Sequence, residues 1–154
     1  MGNNVHKKEY VIANGVDFED LWFSSKSDEV LDNAEDDEGK PFTGLSYELY
    51  DNGMLTHYCY FVDGFKHGDY IEFYKNGNIK SRQYMKYGTI RGKEETWYES
   101  GEIKSVAEYE FGICLSCKEW DKKGDLIFEK LEPTESDNAI LLKERAWNKK
   151  LGRD

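Results

Sequence analysis

Glycine recurs with a period of 24 residues through the middle of this 154-residue chain. Three series share the period: Gly44, Gly68 and Gly92; Gly53, Gly77 and Gly101; and Gly64, Gly88 and Gly112. Interleaved series with one period indicate a tandem repeat, in which each copy is one supersecondary unit stacked on its neighbours. The sequence therefore predicts three full units, at 44–67, 68–91 and 92–115, and a shorter fourth unit at 116–133.

Each unit is predicted to form a β-hairpin. Asn52-Gly53 and Asn76-Gly77 are Asn-Gly pairs, a strong local hairpin signal, and aromatic and β-branched residues that favour strands flank them. Ser100-Gly101 and Lys123-Gly124 take the same place in the last two units. A second turn, at Asp63-Gly64 in the first unit, links each hairpin to the next. We expect a mainly β fold, an elongated antiparallel meander of about eight strands over residues 44–133.

Alternation along the strands predicts a packed face and an open face. Three sets of residues, each at equivalent positions of successive units, are predicted on the packed face. They are Leu49, Phe73 and Trp97; Leu55, Ile79 and Ile103; and Phe61, Met85 and Tyr109. The open face is expected to carry Glu48, Tyr58, Tyr60, Tyr70, Glu72, Tyr84 and Glu94. Tyr50, Tyr74 and Tyr98 recur unchanged in every full unit, which indicates a structural role at the neighbouring turn.

The flanking segments are predicted to cap the two ends of the repeat, as a stack of repeats requires for solubility. In the N-terminal segment, 1–43, residues 9–23 are expected to form a hairpin that turns at Asn14-Gly15. The stretch 28–38 then holds seven acidic residues and no basic one, which is typical of a solvated loop.

The C-terminal segment, 134–154, is predicted to be a helix. Thr134 and Asp137 have the spacing of a capping box, and Gly152 follows the last turn as a helix terminator would. Three apolar side chains of this helix are expected to pack on the last hairpin. They are Ile140, Trp147 and Leu151.

The unit pattern G-x5-Y-x2-G-x-(I/L) resembles the MORN repeat variant, and the resemblance covers residues 39–133. The lead-in GKPFTG (39–44) and the helical tail are similar to those of bacterial antitoxin or immunity proteins built from this repeat. The resemblance implies an all-β repeat protein that neutralises a partner toxin by binding it. It supplies no catalytic residues.

Charge favours a protein partner over the other macromolecular classes. The chain has 31 acidic and 21 basic residues, a net charge of −10, which disfavours direct binding to nucleic-acid phosphate or to an anionic membrane. It favours a partner with a basic surface. The sequence has no run of about 18 apolar residues and no apolar signal region. With its three cysteines, it is expected to be a reduced, cytoplasmic protein.

We predict neither an enzyme nor a cofactor. The sequence has no nucleophile elbow, phosphate-binding loop or dinucleotide fingerprint. Cys114-x2-Cys117 has the spacing of zinc ligands, but structural zinc needs a second ligand pair. The cysteines are therefore interpreted as free thiols, with zinc as the alternative.

A toxin that acts on nucleic acid would present a basic cleft, and carboxylates interleaved with tyrosines could occupy it in place of phosphates. Ten residues are therefore the candidate partner-binding set: Glu48, Tyr58, Tyr60, Tyr70, Glu72, Tyr84, Glu94, Asp36, Asp37 and Glu38. The predicted partner is a cognate toxin, and the chain itself is expected to be a monomer or weak dimer. The alternative is a structural or scaffolding repeat protein with a different protein partner.

Overall fold

The computed structural model describes residues 5–153, so that residues 1–4 of the predicted N-terminal segment and Asp154 lie outside the described part. The elements in chain order are α1 (Lys8–Asn14), β1 (Val16–Asp17), a 3-10 turn (Phe18–Asp20), β2 (Trp22–Phe23), β3 (Val30–Leu31), β4 (Gly44–Leu49), β5 (Leu55–Val62), β6 (Phe65–Phe73), β7 (Ile79–Lys86), β8 (Thr89–Trp97), β9 (Ile103–Glu110), β10 (Ile113–Trp120), β11 (Leu126–Lys130) and α2 (Glu135–Lys150).

One long sheet dominates the described residues. Strands β4 to β11 follow one another in an antiparallel meander, and β1 adds to β4 in parallel at the N-terminal edge. Strands β2 and β3 form a separate short hairpin. The predicted mainly β meander with a C-terminal helix is confirmed.

Two kinds of turn alternate along the meander. In Asp63-Gly64, Tyr87-Gly88 and Phe111-Gly112 both residues have positive φ, between 47° and 84°. Paired positive φ values are typical of the two-residue type I′ turn, whose twist matches that of the strands. At the Asn-Gly turns only the glycine has positive φ, and Gly53 N–H donates to the carbonyl of Tyr50 at 2.9 Å. The tight hairpin turn is therefore the second turn of each unit.

The recurrent tyrosines join successive units. The hydroxyl of Tyr50 donates to the carbonyl of Phe73 at 2.7 Å, and that of Tyr74 donates to the carbonyl of Trp97 at 2.7 Å. Tyr98 repeats the bond one unit later, to a carbonyl of β10 at 2.8 Å. Each bond satisfies a main-chain acceptor of the following unit, so the predicted structural role of these tyrosines is confirmed.

A bulge in every unit breaks the alternation on which the predicted faces rest. Glu48 lies opposite His57, whereas Leu49 lies opposite Leu55, so that β5 holds an extra residue. Equivalent shifts follow Glu72, Thr96 and Glu119. Because a shift of one residue moves the side chains beyond it to the other face, Tyr58 lies on the same face as Leu55. Tyr60 and Tyr84 lie on this face as well, so the prediction that placed Tyr58, Tyr60 and Tyr84 with Glu48 on the open face is wrong for this reason.

We call the side of the sheet that carries Leu55, Tyr58 and Ile71 face A, and the opposite side, which carries Cys59, Tyr70 and Glu72, face B. The N-terminal segment covers both faces over β4 to β6. On face A, Val11 of α1 packs into a core with its neighbours Leu45, Leu55, Tyr58, Ile71 and Phe73. On face B, Leu21, Val30 and Phe42 pack with Cys59 and Phe61. Phe61 was predicted on the same face as Leu55, but it lies on face B, whereas Leu55 lies on face A.

The hairpin predicted at 9–23 is wrong, because residues 8–14 form helix α1. Gly15 has a φ of −105°, and its N–H donates to the carbonyl of Val11 at 2.7 Å. The helix places Val11, which is fully buried, in the face A core. Burial of this apolar side chain against the sheet outweighs the local turn preference of Asn14-Gly15.

Helix α2 contacts the C-terminal part of the sheet through a mostly polar stripe. The predicted capping box is present: Thr134 Oγ1 accepts from Asp137 N–H at 3.0 Å, and Asp137 Oδ2 accepts from Thr134 N–H at 2.9 Å. Asp137 also accepts from Lys130 Nζ at 2.7 Å, and Arg145 donates to both carboxylate oxygens of Glu110 at 2.7 and 2.8 Å.

Leu141 is the buried apolar side chain of α2, with 1% of its surface exposed. Ile140, Trp147 and Leu151 are about half exposed, at 47%, 57% and 45%. The prediction that these three pack on the last hairpin is therefore wrong. Asp137, Leu141 and Arg145 recur every four residues, so the buried leucine and the two ion pairs lie on the same side of the helix.

Candidate partner-binding surface

The ten predicted residues fall into three places in the structure. Four lie on face B: Glu48, Tyr70, Glu72 and Glu94. Three lie on face A: Tyr58, Tyr60 and Tyr84. The remaining three, Asp36, Asp37 and Glu38, lie in the loop between β3 and β4.

Face B carries a row of polar side chains that runs across neighbouring strands. Glu48 lies opposite His57, His57 opposite Glu72, and Glu72 opposite Ser81. Ser81 Oγ donates to Glu72 Oε1 at 2.8 Å. His57 Nδ1 lies 3.6 Å from Glu48 Oε2, and burial lowers the pKa of this imidazole despite the two carboxylates beside it.

Glu94 adds a third carboxylate to face B, two residues from the row along β8. Burial raises its pKa, a hydrogen bond with Tyr109 opposes that rise, and the negative charge of Glu72 adds to it. Glu72 and Glu94 therefore lie close enough to repel each other. We call Glu48, Glu72 and Glu94 the face B carboxylates. A cation supplied by a partner would relieve this repulsion.

An aromatic cavity of about 650 Å³ opens beside the face B carboxylates. Tyr70 is part of its wall, with the His57 ring stacked on it at 5.6 Å and Lys66 Nζ 4.3 Å from its centroid. Aromatic side chains from three parts of the chain complete the wall: Phe18, Phe23, Phe61, Phe65 and Tyr87. The cavity can accept a side chain that projects from a partner.

The sequence did not predict this cavity, because Phe18 and Phe23 belong to the N-terminal segment outside the repeat. What the sequence lacked was the fold of residues 18–31 over face B, which brings Phe18 against Phe61 with ring centroids 6.4 Å apart.

The three face A tyrosines have different surroundings. Tyr58 has no exposed surface, and its hydroxyl accepts the N–H of His6 at 3.0 Å. Tyr60 is partly buried, with its hydroxyl 2.7 Å from His6 Nε2. Burial raises the pKa of both phenols. Tyr84 is 46% exposed, so it is the face A tyrosine that a partner can reach most readily.

In the loop between β3 and β4, which we call the acidic loop, the carboxylates of Asp36 and Asp37 accept hydrogen bonds from within the N-terminal segment. Asp37 accepts from Trp22 Nε1 at 3.1 Å and from Ser25 N–H at 2.9 Å, and it also bonds the Ser25 hydroxyl. These bonds lower the pKa of Asp37. Asp36 accepts from Glu38 N–H at 2.9 Å. The loop is thus folded by local hydrogen bonds of the kind that Asp favours.

The three cysteines are free thiols, and burial raises the pKa of Cys59 to about 12. Within residues 5–153, no three His, Cys, Asp or Glu side chains lie close enough together to hold a metal ion. In the same part of the chain, neither helix has the length and apolar composition needed to cross a membrane.

Comparison with known proteins gives one close relative. The chain is 55% identical over 152 residues to Immunity protein YwqK of Bacillus subtilis (strain 168), an alignment that covers 98% of this chain and 99% of that protein. No protein-family model matches the chain, so the resemblance to the MORN repeat variant stays a prediction.

Among solved structures, accessory secretory protein 1,2 and 3 of Streptococcus pneumoniae matches 59% of this chain and 17% of that chain, at 20% identity. Its TM-score of 0.34 is too low to carry any argument. The relative from Bacillus subtilis is different, because more than half of the aligned positions are identical over almost the full length of both proteins. The chain therefore belongs to the family of Immunity protein YwqK.

Proposed function

We propose that this protein neutralises a cognate toxin by binding it directly through face B, without catalysis. The name of its relative supports an immunity role. The observation that carries the choice of surface is the placement of Glu48, Glu72 and Glu94 on one side of the sheet, where two of them repel each other. A basic partner would turn that repulsion into attraction.

The charge distribution supports a partner whose active cleft is basic, as in toxins that act on nucleic acid. Negative potential over a rigid surface speeds the encounter with such a partner, and the effect weakens as salt screens it. The face B carboxylates would occupy the positions that phosphates take in the cleft. The aromatic cavity beside them would hold a projecting side chain of the toxin, since buried aromatic anchors contribute strongly to binding.

The first experiment co-expresses the chain with the product of the neighbouring gene and asks whether growth is rescued and a complex co-purifies. The second measures affinity and salt dependence for a triple variant, Glu48→Gln, Glu72→Gln and Glu94→Gln. A matched control carries Glu99→Gln, Glu108→Gln and Glu132→Gln, three exposed acids away from face B. Both variants remove three negative charges, so only the location of the charges differs.

We expect the face B variant to bind about tenfold to a hundredfold more weakly, because three screened charge pairs each contribute about 0.5–1 kcal/mol. The affinity of this variant should also depend less on salt concentration. The control variant should keep an affinity and a salt dependence close to those of the wild type. Equal losses in the two variants would mean that net charge alone matters. Unchanged binding in the face B variant would mean that the toxin docks elsewhere.

A further inference from the structure

The two edges of the long sheet are treated differently. At the N-terminal edge, β1 lies beside β4 in parallel, with Val16 opposite Ser46. At the other edge, β11 pairs with β10 on one side, and within the described residues no strand lies on its other side. An open edge presents unpaired backbone N–H and C=O groups, which native sheets usually shield.

The side chains of β11 do not protect this edge. Leu126, Ile127 and Phe128 are 49%, 60% and 50% exposed, and Leu131 just beyond the strand is 75% exposed. Ile127 and Phe128 are consecutive, so apolar surface is exposed on both faces of the strand. Free backbone groups combined with apolar side chains fit another β-strand as the occupant.

The charges at this edge are balanced within the chain. Glu129 Oε2 lies 3.6 Å from Lys118 Nζ, and Lys130 Nζ lies 2.7 Å from Asp137 Oδ2. Residues 113–154 contain nine acidic and nine basic residues, whereas residues 1–112 contain 22 acidic and 12 basic ones. The whole net charge of −10 therefore belongs to the part of the chain before β10.

We propose that β11 pairs in antiparallel fashion with β11 of a second copy, about a twofold axis perpendicular to the sheet. The pairing would join the two sheets into one and supply partners for the free backbone groups of both edges. An interface of this kind is isologous, because the same patch serves both copies. It is a surface separate from face B and does not depend on the proposed toxin binding.

Charge distribution is the reason to choose a second copy over a basic partner at this edge. A basic protein would be attracted to the acidic first part of the chain and not to the neutral end. In the edge-to-edge dimer, β4 of each copy lies seven strand spacings, about 33 Å, from its own β11. That distance exceeds the screening length of about 8 Å in physiological salt, so the two acidic regions hardly repel each other.

Strand β11 has only five residues. The area that two such strands can bury is therefore smaller than that of a standard interface, about 800 Å² per partner. The dimer should therefore be weak, with a dissociation constant of about 10–100 µM. Sedimentation velocity from about 1 to 500 µM covers that range. The variants are Phe128→Lys and Ile127→Lys, each of which places a charge at the edge. The control is Phe23→Lys, since Phe23 is 66% exposed and lies in β2, outside the long sheet.

The wild type and Phe23→Lys should move from the mass of one chain to that of two as concentration rises, while both edge variants stay at one. Amide hydrogen exchange of residues 126–130 should slow with concentration in the wild type. Far-UV circular dichroism checks that every variant is folded. A wild type that stays at one chain mass throughout would overturn the proposal. So would edge variants that dimerise like the wild type.

Discussion

Removal of one hydroxyl from the tyrosine series should lower stability by a defined amount. In Tyr74→Phe the ring stays, and so does its contact with Lys80, whose Nζ lies 5.8 Å from the ring centroid. What is lost is the 2.7 Å hydrogen bond to the carbonyl of Trp97. A neutral hydrogen bond contributes about 0.5–1.5 kcal/mol net. We therefore expect the free energy of unfolding to fall by about 1 kcal/mol.

Urea and thermal unfolding followed by circular dichroism measure this change. For a chain of this size, about 1 kcal/mol corresponds to a fall in Tm of about 2–4 °C. Tyr84→Phe is the matched control, because it removes the same atom from a side chain that is 46% exposed. It should leave the free energy of unfolding within about 0.5 kcal/mol of the wild type.

The repeat allows a further check on the same reasoning. Tyr50, Tyr74 and Tyr98 make the same bond at successive units, so the triple Phe variant should lose about 3 kcal/mol if the units contribute independently. A loss in Tyr74→Phe no larger than that in Tyr84→Phe would refute the view that these bonds stabilise the stack. The tyrosines would then be packing residues only.

Three further changes test the caps and the turns. Leu141→Ala should cost about 2–3 kcal/mol in unfolding free energy and expose α2 to protease, since Leu141 is 1% exposed; Leu142→Ala, at 70% exposed, should change little. Gly64→Ala should lower the melting temperature more than Gly112→Ala does. Both glycines have positive φ, but a Cβ at Gly64 would lie 2.8 Å from a carbon of the N-terminal segment, whereas the nearest atom to a Cβ at Gly112 is 4.0 Å away. Equal melting temperatures would contradict this. Asp137 has a pKa lowered to about 2 by its lysine partner and by helix-cap bonds. Because the unfolded carboxyl binds its proton more tightly, this contribution to stability is present above about pH 4 and is lost as the pH falls towards 2. Asp137→Asn should lack that loss in melts across this range, and a pH dependence identical to the wild type would contradict the assignment.

The sequence by itself determined the repeat, and with it most of the architecture. Glycines spaced 24 apart predicted the number and order of the hairpins, because positive φ is needed at each turn and glycine adopts it without strain. The capping box at Thr134 predicted where the last helix begins, since that motif acts through residues close in sequence. Features that depend on neighbours along the chain could thus be read locally.

The candidate site was predicted only in part, because the faces of the strands depend on pairing. Glu48 and Glu72 were placed together correctly, since both precede the bulge of their own unit. Tyr58, Tyr60 and Tyr84 were placed on the wrong face, because the bulge of their own unit lies before them and is visible only once the paired strands are in register. The aromatic cavity needs the contact of Phe18 with Phe61, which are 43 positions apart.

Only the tertiary structure decided the ends of the molecule. Local signals favoured a hairpin turn at Asn14-Gly15, yet helix α1 forms there because it brings Val11 into a core built from distant strands. The side of α2 that meets the sheet is likewise decided by tertiary contacts, because Leu141 is buried there and Arg145 bonds Glu110 of β9. A repeat specifies its own stacking, but a cap is specified by the surface that it must cover, and that surface exists only after the sheet has formed.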